Sequence, residues 1–142
     1  KKNIITNDII FATVRPTLKR LAIVPKELDN QVASTGFVVL RVNKSNYFKF
    51  LFYFLLTNGF NEIMGSLQRG ASYPAVSDMD VKSQKLKVPN YQEQIKISEK
   101  LDNLMFLTNK IRKIQNKKIK ELNLLKKSIL IKILNTKQIK VA

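Results

Sequence analysis

Between Gln92 and Leu134 apolar residues recur at three- and four-residue steps: Ile97, Leu101, Leu104, Ile111, Ile114, Leu122, Leu125, Ile129 and Ile133. No Gly or Pro interrupts them. That period predicts one long amphipathic helix. Roughly 40 residues at about 1.5 Å each span about 60 Å, whereas an ordinary globular helix has about 11–12 residues. A stripe longer than a small domain is wide needs a partner helix, in the same chain or in another molecule. A heptad frame through Ile97, Leu101, Leu104, Thr108, Ile111, Gln115, Lys118, Leu122, Leu125 and Ile129 places Thr108, Gln115 and Lys118 on the seam. Polar seam residues weaken a coiled coil and help fix its register and partner number. The other reading is a helix lying on a larger globular neighbour.

The preceding residues carry shorter periods. Ile9-Ile10-Phe11-Ala12-Thr13-Val14 is apolar at both parities and predicts a strand buried on both faces. Arg15-Pro16-Thr17 breaks it. Leu21 to Val24 predicts a second strand, Pro25 to Ser34 a polar connection, and Phe37 to Val42 a third strand, rich in β-branched residues. Asn46 is the expected cap of a helix from Tyr47 to about Asn58, closed by Gly59. Its aromatics (Tyr47, Phe48, Phe50, Phe52, Tyr53, Phe54) read as core before they read as a base-stacking platform. A short helix over Phe60 to Leu67, a Gly/Pro loop over Gln68 to Pro74, and a strand within Val81 to Val88 follow. Asn90-Tyr91-Gln92-Glu93 has the spacing of a capping box at the start of the long helix. The expected class is α+β, with a small mixed α/β domain over residues 1–89 and the helix over residues 90–142.

Charge narrows the partners. The 142 residues hold 26 Lys and Arg against 10 Asp and Glu, net +16. Residues 96–142 hold 13 basic and 3 acidic residues, net +10; the first 95 hold 13 and 7, net +6. Such an excess favours a polyanion, nucleic acid before an anionic membrane, over a merely solubilising surface. There is no Cys and no His, so Cys- or His-based zinc sites, thiol catalysis and a Ser-His-Asp triad are excluded. Lack of Cys fits a reducing compartment, with a cytoplasmic location expected. The longest apolar patch, Phe50 to Leu56, is too short to span a bilayer. Asp78 and Asp80 lack a third ligand at metal-like spacing and read as a turn before a strand. No metal and no cofactor is expected.

Three segments together resemble one family. Asp8-Ile9-Ile10-Phe11-Ala12-Thr13-Val14-Arg15-Pro16 resembles the strand and turn of a target recognition domain. Gly70-Ala71-Ser72-Tyr73-Pro74-Ala75-Val76-Ser77 is similar to the loop late in such domains. Leu86-Lys87-Val88-Pro89-Asn90-Tyr91-Gln92-Glu93-Gln94-Ile95-Lys96-Ile97 looks like the start of the family's long helix. Their order and spacing point to the specificity (S) subunit of type I restriction–modification systems. The resemblance implies recognition of a bipartite double-stranded DNA site by two recognition domains held apart by a pair of antiparallel helices. It implies recruitment of methyltransferase subunits and, through them, the restriction subunit, with no catalysis of its own. This sequence holds one recognition domain, without the family's earlier strands, and one helix. That predicts either a half-subunit that dimerises or a piece of a longer chain.

DNA readout needs donors and acceptors presented on loops by a rigid scaffold. Arg15, Lys19 and Arg20 cluster around one turn; Arg69, Ser72 and Tyr73 sit in another. These six are the candidate DNA contacts. Each has an ordinary surface or turn role as its alternative, and for Arg15 that alternative is a pair with Asp8 or Asp78. Capping accounts for Glu93 in the polar pair Glu93–Gln94. The Lys-rich helix face (Lys110, Arg112, Lys113, Lys117, Lys120) suits DNA, solvent or the methyltransferase equally. Ile97, Leu101, Leu104, Ile111, Leu122, Leu125 and Ile129 are the expected helix-pairing residues. The competing function is a basic coiled-coil adaptor that binds proteins rather than DNA. A nuclease or methyltransferase is disfavoured, because neither a glycine-rich cofactor loop nor an Asn-Pro-Pro-Tyr-like motif is present.

Overall fold

Strand β2 (Ile9–Ala12) is the centre of the fold, and its two faces explain its unbroken apolar run. In the computed structural model, which describes residues 1–136, it lies between β3 (Leu21–Ile23) and β5 (Phe37–Leu40), antiparallel to both. Ile10 pairs with Ala22 on one side and Val39 on the other, which fixes the register. Ile9 and Phe11 project into the main core with Val38, Leu55, Phe60, Met64, Val76 and Val81. Ile10 and Val39 project to the opposite face, against Ile4, Val24 and Ala33. A period of two on a sheet covered on both sides requires apolar residues at every position. The strands expected at 9–14, 21–24 and 37–42 are present but shorter.

The stretch expected as a polar connection contains a 3-10 turn, Lys26–Leu28, and a strand, β4 (Val32–Ala33). β4 pairs with β1 (Lys2–Asn3) in a separate two-stranded ribbon. Beneath the main sheet lie α1 (Phe48–Leu55) and α2 (Asn58–Leu67). Phe60 meets the rings of Phe11 and Phe54 edge-on, at centroid distances of 5.6 and 5.5 Å. These aromatics are core, as their apolar run suggests.

Four local expectations are corrected. Asn46 does not cap α1; Tyr47 occupies that position, with no side-chain cap. Its N–H donates to Gln94 Oε1 at 2.8 Å. Gly59 does not close α1; it lies within α2, whose cap is Thr57, with Oγ1 accepting the Phe60 N–H. Residues 78–82 form α3 (Asp78–Lys82), not a turn before a strand. Ser77 and Asp80 make a reciprocal capping box there, satisfying two orphan backbone donors locally. Beyond α3 the expected strand is absent: the chain runs without regular structure to Asn90.

Helix α4 (Tyr91–Thr136) holds 46 residues, about 69 Å at the usual rise. Asn90 Oδ1 accepts the Glu93 N–H at 3.0 Å, so Asn90 caps it. The chain divides into two units, one from Lys1 to Leu101 and the other starting at Asp102. The first turns of α4 thus belong to the folded domain. Gln94 and Ser98 are fully buried there, and Ser98 Oγ donates back to the Gln94 carbonyl at 2.7 Å. In the second unit every described side chain from Asn103 to Leu134 is exposed. Leu104, Leu107, Ile111, Ile114, Lys118, Leu122, Leu125, Ile129 and Ile133 advance in eight steps over 29 residues, a mean of about 3.6. That is the period of a straight helix rather than a supercoiled one. Thr108 Oγ1, on the seam of the heptad frame, bonds back to the Leu104 carbonyl. The part of the expected helix past Thr136 lies outside the described residues.

Candidate nucleic-acid interface

Past Ala12 the central strand gives way to a strained turn. Arg15 (φ 50°, ψ 58°) and Lys19 (φ 50°, ψ 42°) are both left-handed and flank a 3-10 turn, Pro16–Leu18. A left-handed non-glycine residue costs about 1–2 kcal/mol, so the surroundings must hold both in place. The Arg15 N–H donates to the Pro74 carbonyl at 2.7 Å. The Leu18 and Lys19 N–H groups close the turn onto Arg15 and Pro16. The turn packs on α2, where a Cβ added to Gly65 would meet Thr17 Cγ2 at 3.4 Å.

The second loop is built beside the first. Arg69 and Ala75 exchange two backbone hydrogen bonds, 2.8 and 2.9 Å, which closes residues 70–74 into a loop. Gly70 makes this possible with φ 96°, and a Cβ there would meet the Tyr73 carbonyl at 3.2 Å. The returning chain pairs with the end of the central strand: the Val76 N–H donates to the Thr13 carbonyl at 3.0 Å, and Val14 bridges Ala75. Arg15 and the Gly70–Pro74 loop, far apart in sequence, therefore share one surface.

Four of the six candidate contacts gather there. The Arg15 guanidinium lies 5.7 Å from the centroid of the Tyr73 ring, a cation–π distance. Tyr73 is 74% exposed, and Ser72 and Arg69 are exposed in or beside the same loop. Arg20 is exposed one residue past the first turn. Lys19 is engaged elsewhere: its Nζ donates to the Leu56 carbonyl at 3.0 Å and to Asn58 Oδ1 at 2.7 Å. It ties the turn to the α1–α2 junction.

Asp8, Asp78 and Asp80 each hold a basic partner. Asp8 is buried and takes a bidentate pair from Arg41, Nε to Oδ1 and Nη2 to Oδ2, both 2.7 Å. Asp78 pairs with Lys2. The alternative pairing of Arg15 with Asp8 or Asp78 is thereby corrected. Asp80 holds Arg69, with Nη1 to Oδ2 at 3.1 Å and Nη2 to Oδ1 at 3.3 Å. The Ser77 N–H and hydroxyl, then the Arg69 guanidinium, hold the Asp80 carboxyl below its ordinary range. Its bond to Asp8 raises the Arg41 guanidinium above its already high value. The Asp80–Arg69 pair is not among the contacts expected from the sequence. Its signal was the Ser-x-x-Asp spacing of residues 77–80, which marks a cap and fixes a carboxylate in space.

The surface can bond a polyanion: two guanidiniums, a phenol and a serine on loops anchored to a sheet. Among the described residues there is no group of three or more His, Cys, Asp or Glu side chains that could hold a metal, and no helix is long and apolar enough to cross a membrane.

Comparison with known proteins bears on the family and the fold. Residues 1–138 match the model of the type I restriction modification DNA specificity domain. The type I restriction enzyme HindI specificity subunit of Haemophilus influenzae is 33% identical over 114 residues, covering 78% of this chain and 24% of that protein. The crystal structure of the HsdS subunit from Thermoanaerobacter tengcongensis superposes with a TM-score of 0.72 at 40% identity, over 87% of this chain and 32% of that one. A second structure, from a study of complex assembly and conformational transition of the type I R-M system, gives a TM-score of 0.82 at 38% identity, over 93% of this chain and 34% of that one. The chain thus spans about a quarter to a third of the length of these relatives. A small α/β domain running into one long helix, matched by the family model over nearly all its length, makes this chain a member of the type I restriction–modification DNA specificity family.

Proposed function

We propose that this chain supplies one half of a sequence-specific DNA-recognition subunit. In this reading residues 1–89 read one half of a bipartite duplex site. Residues 90–142 pair with a second helix, from another copy or from a repeat in the same chain, and set the spacing between halves. The subunit is non-catalytic and acts in the cytoplasm without a cofactor. It positions methyltransferase subunits, and through them the restriction subunit, on the DNA. The observation that carries this is the pair of adjoining loops that presents Arg15, Arg69, Ser72 and Tyr73 on one exposed surface of a family-matched domain. The net charge of +16 supports a polyanionic partner. The family match disfavours the adaptor reading.

The test is a salt-dependent gel shift with the chain in complex with its methyltransferase. Recognition gives a specific complex above the non-specific background. Arg15→Ala and Arg69→Ala each weaken it, by about 1–3 kcal/mol with relaxed preference at one position for a base contact. For a phosphate contact, all sequences weaken alike and the salt slope falls by about one unit. Unchanged binding in both variants would move the interface elsewhere. For the helix, Leu104→Lys and Leu122→Lys place an unpaired charge on the stripe and break pairing. Light scattering that shows one unchanged monomer mass for wild type and variants would rule out self-association and leave a partner helix in the same chain.

A further inference from the structure

Arg69 is the only one of the exposed interface arginines whose guanidinium is held by a carboxylate among the described contacts, and that carboxylate is itself immobilised. Asp80 accepts the Ser77 N–H at 2.7 Å and the Ser77 hydroxyl at 2.8 Å while its two oxygens face Arg69. Its side chain is 14% exposed, against 70% for Arg69. The anchor is thus set in the first turn of α3, and the arginine projects from it beside the Gly70–Pro74 loop. Two of the guanidinium's roughly five N–H donors are directed at Asp80 and the others remain for a further acceptor.

We propose that Asp80 is a positioning residue for DNA discrimination: it orients Arg69 for a directional contact and cancels its charge toward the phosphate backbone at large. The proposal rests on the reading that this surface binds DNA. Non-specific binding is driven by counterion release and counts charges, whatever their direction. An arginine neutralised by a fixed carboxylate adds little to it. A base edge or one well-placed phosphate is bonded directionally, and an arginine already oriented loses less freedom on making that bond. Asp80 therefore weakens the background more than it weakens the specific complex.

Asp80→Asn tests this, because Asn retains an oxygen for the Ser77 cap and removes the charge. In the complex with methyltransferase subunits, affinity for the recognised duplex and for a scrambled duplex is measured between 50 and 200 mM salt. The expected result is a scrambled-duplex salt slope steeper by about one unit, with a lower ratio of specific to non-specific affinity. The Asp80→Asn/Arg69→Ala double variant should show no such rise over Arg69→Ala alone. Ser77→Ala, which weakens the cap and leaves the charge pair, should lower stability without steepening the slope. An unchanged slope and ratio in Asp80→Asn overturns the proposal, as does a rise that persists without Arg69. Wild-type complex that binds neither duplex overturns the DNA-binding reading itself, and the role of Asp80 with it.

Discussion

Gln94 reaches across the domain to Tyr47: its side-chain oxygen accepts the Tyr47 N–H at 2.8 Å. Its Nε2 donates to the Pro89 carbonyl at 2.9 Å and, more weakly, to Asn46 Oδ1 at 3.4 Å. Gln94 is 1% exposed. One amide thus pairs the N–H of the residue that opens α1 and fastens the first turn of α4 to the chain that precedes it. Removing it leaves the part-buried Tyr47 N–H without this partner, at a cost of about 1–3 kcal/mol. Gln94→Ala should therefore lower the unfolding free energy by that amount, and the urea midpoint with it. Gln94→Glu should cost at least as much, since its carboxylate faces the Pro89 carbonyl in place of a donor. A midpoint within error of wild type in both variants would show that the amide does not fasten the helix.

The Asp8–Arg41 pair makes a separate prediction. Asp8 is buried at the start of β2, and its Oδ2 also accepts the Ile5 N–H at 2.9 Å. Arg41→Ala would leave that carboxylate without its cation. Half of the Arg41 side chain is in water, so the expected destabilisation is real but smaller than for a fully buried pair. Arg41→Lys should fall between, because an ammonium cannot reproduce the two-pronged contact. Equal stability of all three proteins in denaturant titration would refute this.

Acid should release the Arg69 clamp late. The Asp80 carboxyl is held below its ordinary value, first by the Ser77 N–H, then by the Ser77 hydroxyl and Arg69. A depressed folded-state value contributes stability that is complete above the unfolded value, about 3.9. The contribution is lost as pH falls from there through the lower folded value. The Ser77–Asp80–Arg69 cluster should thus be unaffected between pH 6 and 8. In Asp80→Asn the part of the stability–pH curve below about pH 4 should flatten. Parallel wild-type and variant curves down to pH 2 would contradict the assignment.

What the sequence disclosed and what it hid follow one physical division. The three strands of the main sheet were legible because Ile9–Phe11, Leu21–Ile23 and Phe37–Leu40 are driven by side-chain burial, which leaves a periodic trace. So was α4, from its stripe and its Asn90 cap. The family was legible for a different reason: it rested on the order of three short motifs, each weak alone. Residues 81–88 misled because Leu86 and Val88 alternate with Lys85 and Lys87, while the capping box of Ser77 and Asp80 draws the first part into a helix. Asn46 misled because the helix starts one residue later than expected, with Tyr47 at the cap position and its N–H bonded to Gln94, 47 residues away. Nothing local to Lys19 foretells that its ammonium bonds a helix end 37 residues away. Contacts of this kind depend on where the folded chain puts a side chain, and no local pattern reports them.

The length of α4 makes the last prediction. If two recognition domains sit at opposite ends of an antiparallel helix pair, helix length sets the distance between DNA half-sites. Deleting Ile111 to Lys117, with the facing heptad of the partner helix, shortens the pair by about 10 Å. Base pairs rise about 3.4 Å, so this equals about 3 bp. The apolar stripe stays nearly in phase, because a heptad drifts only about 20° on a straight helix, and this stripe has the straight-helix period. The DNA turns once in about 10–10.5 bp, so about 3 bp rotate one half-site by roughly 100° about the duplex axis. A shorter spacer cannot restore both distance and rotation. The shortened protein should lose tight binding to the original site and retain only weak binding where the duplex twists or bends to compensate. Affinity across duplexes with the same half-sites and varied spacers is the measurement. Wild-type affinity with an unchanged spacer optimum in the deletion variant would mean that the helix does not set the distance.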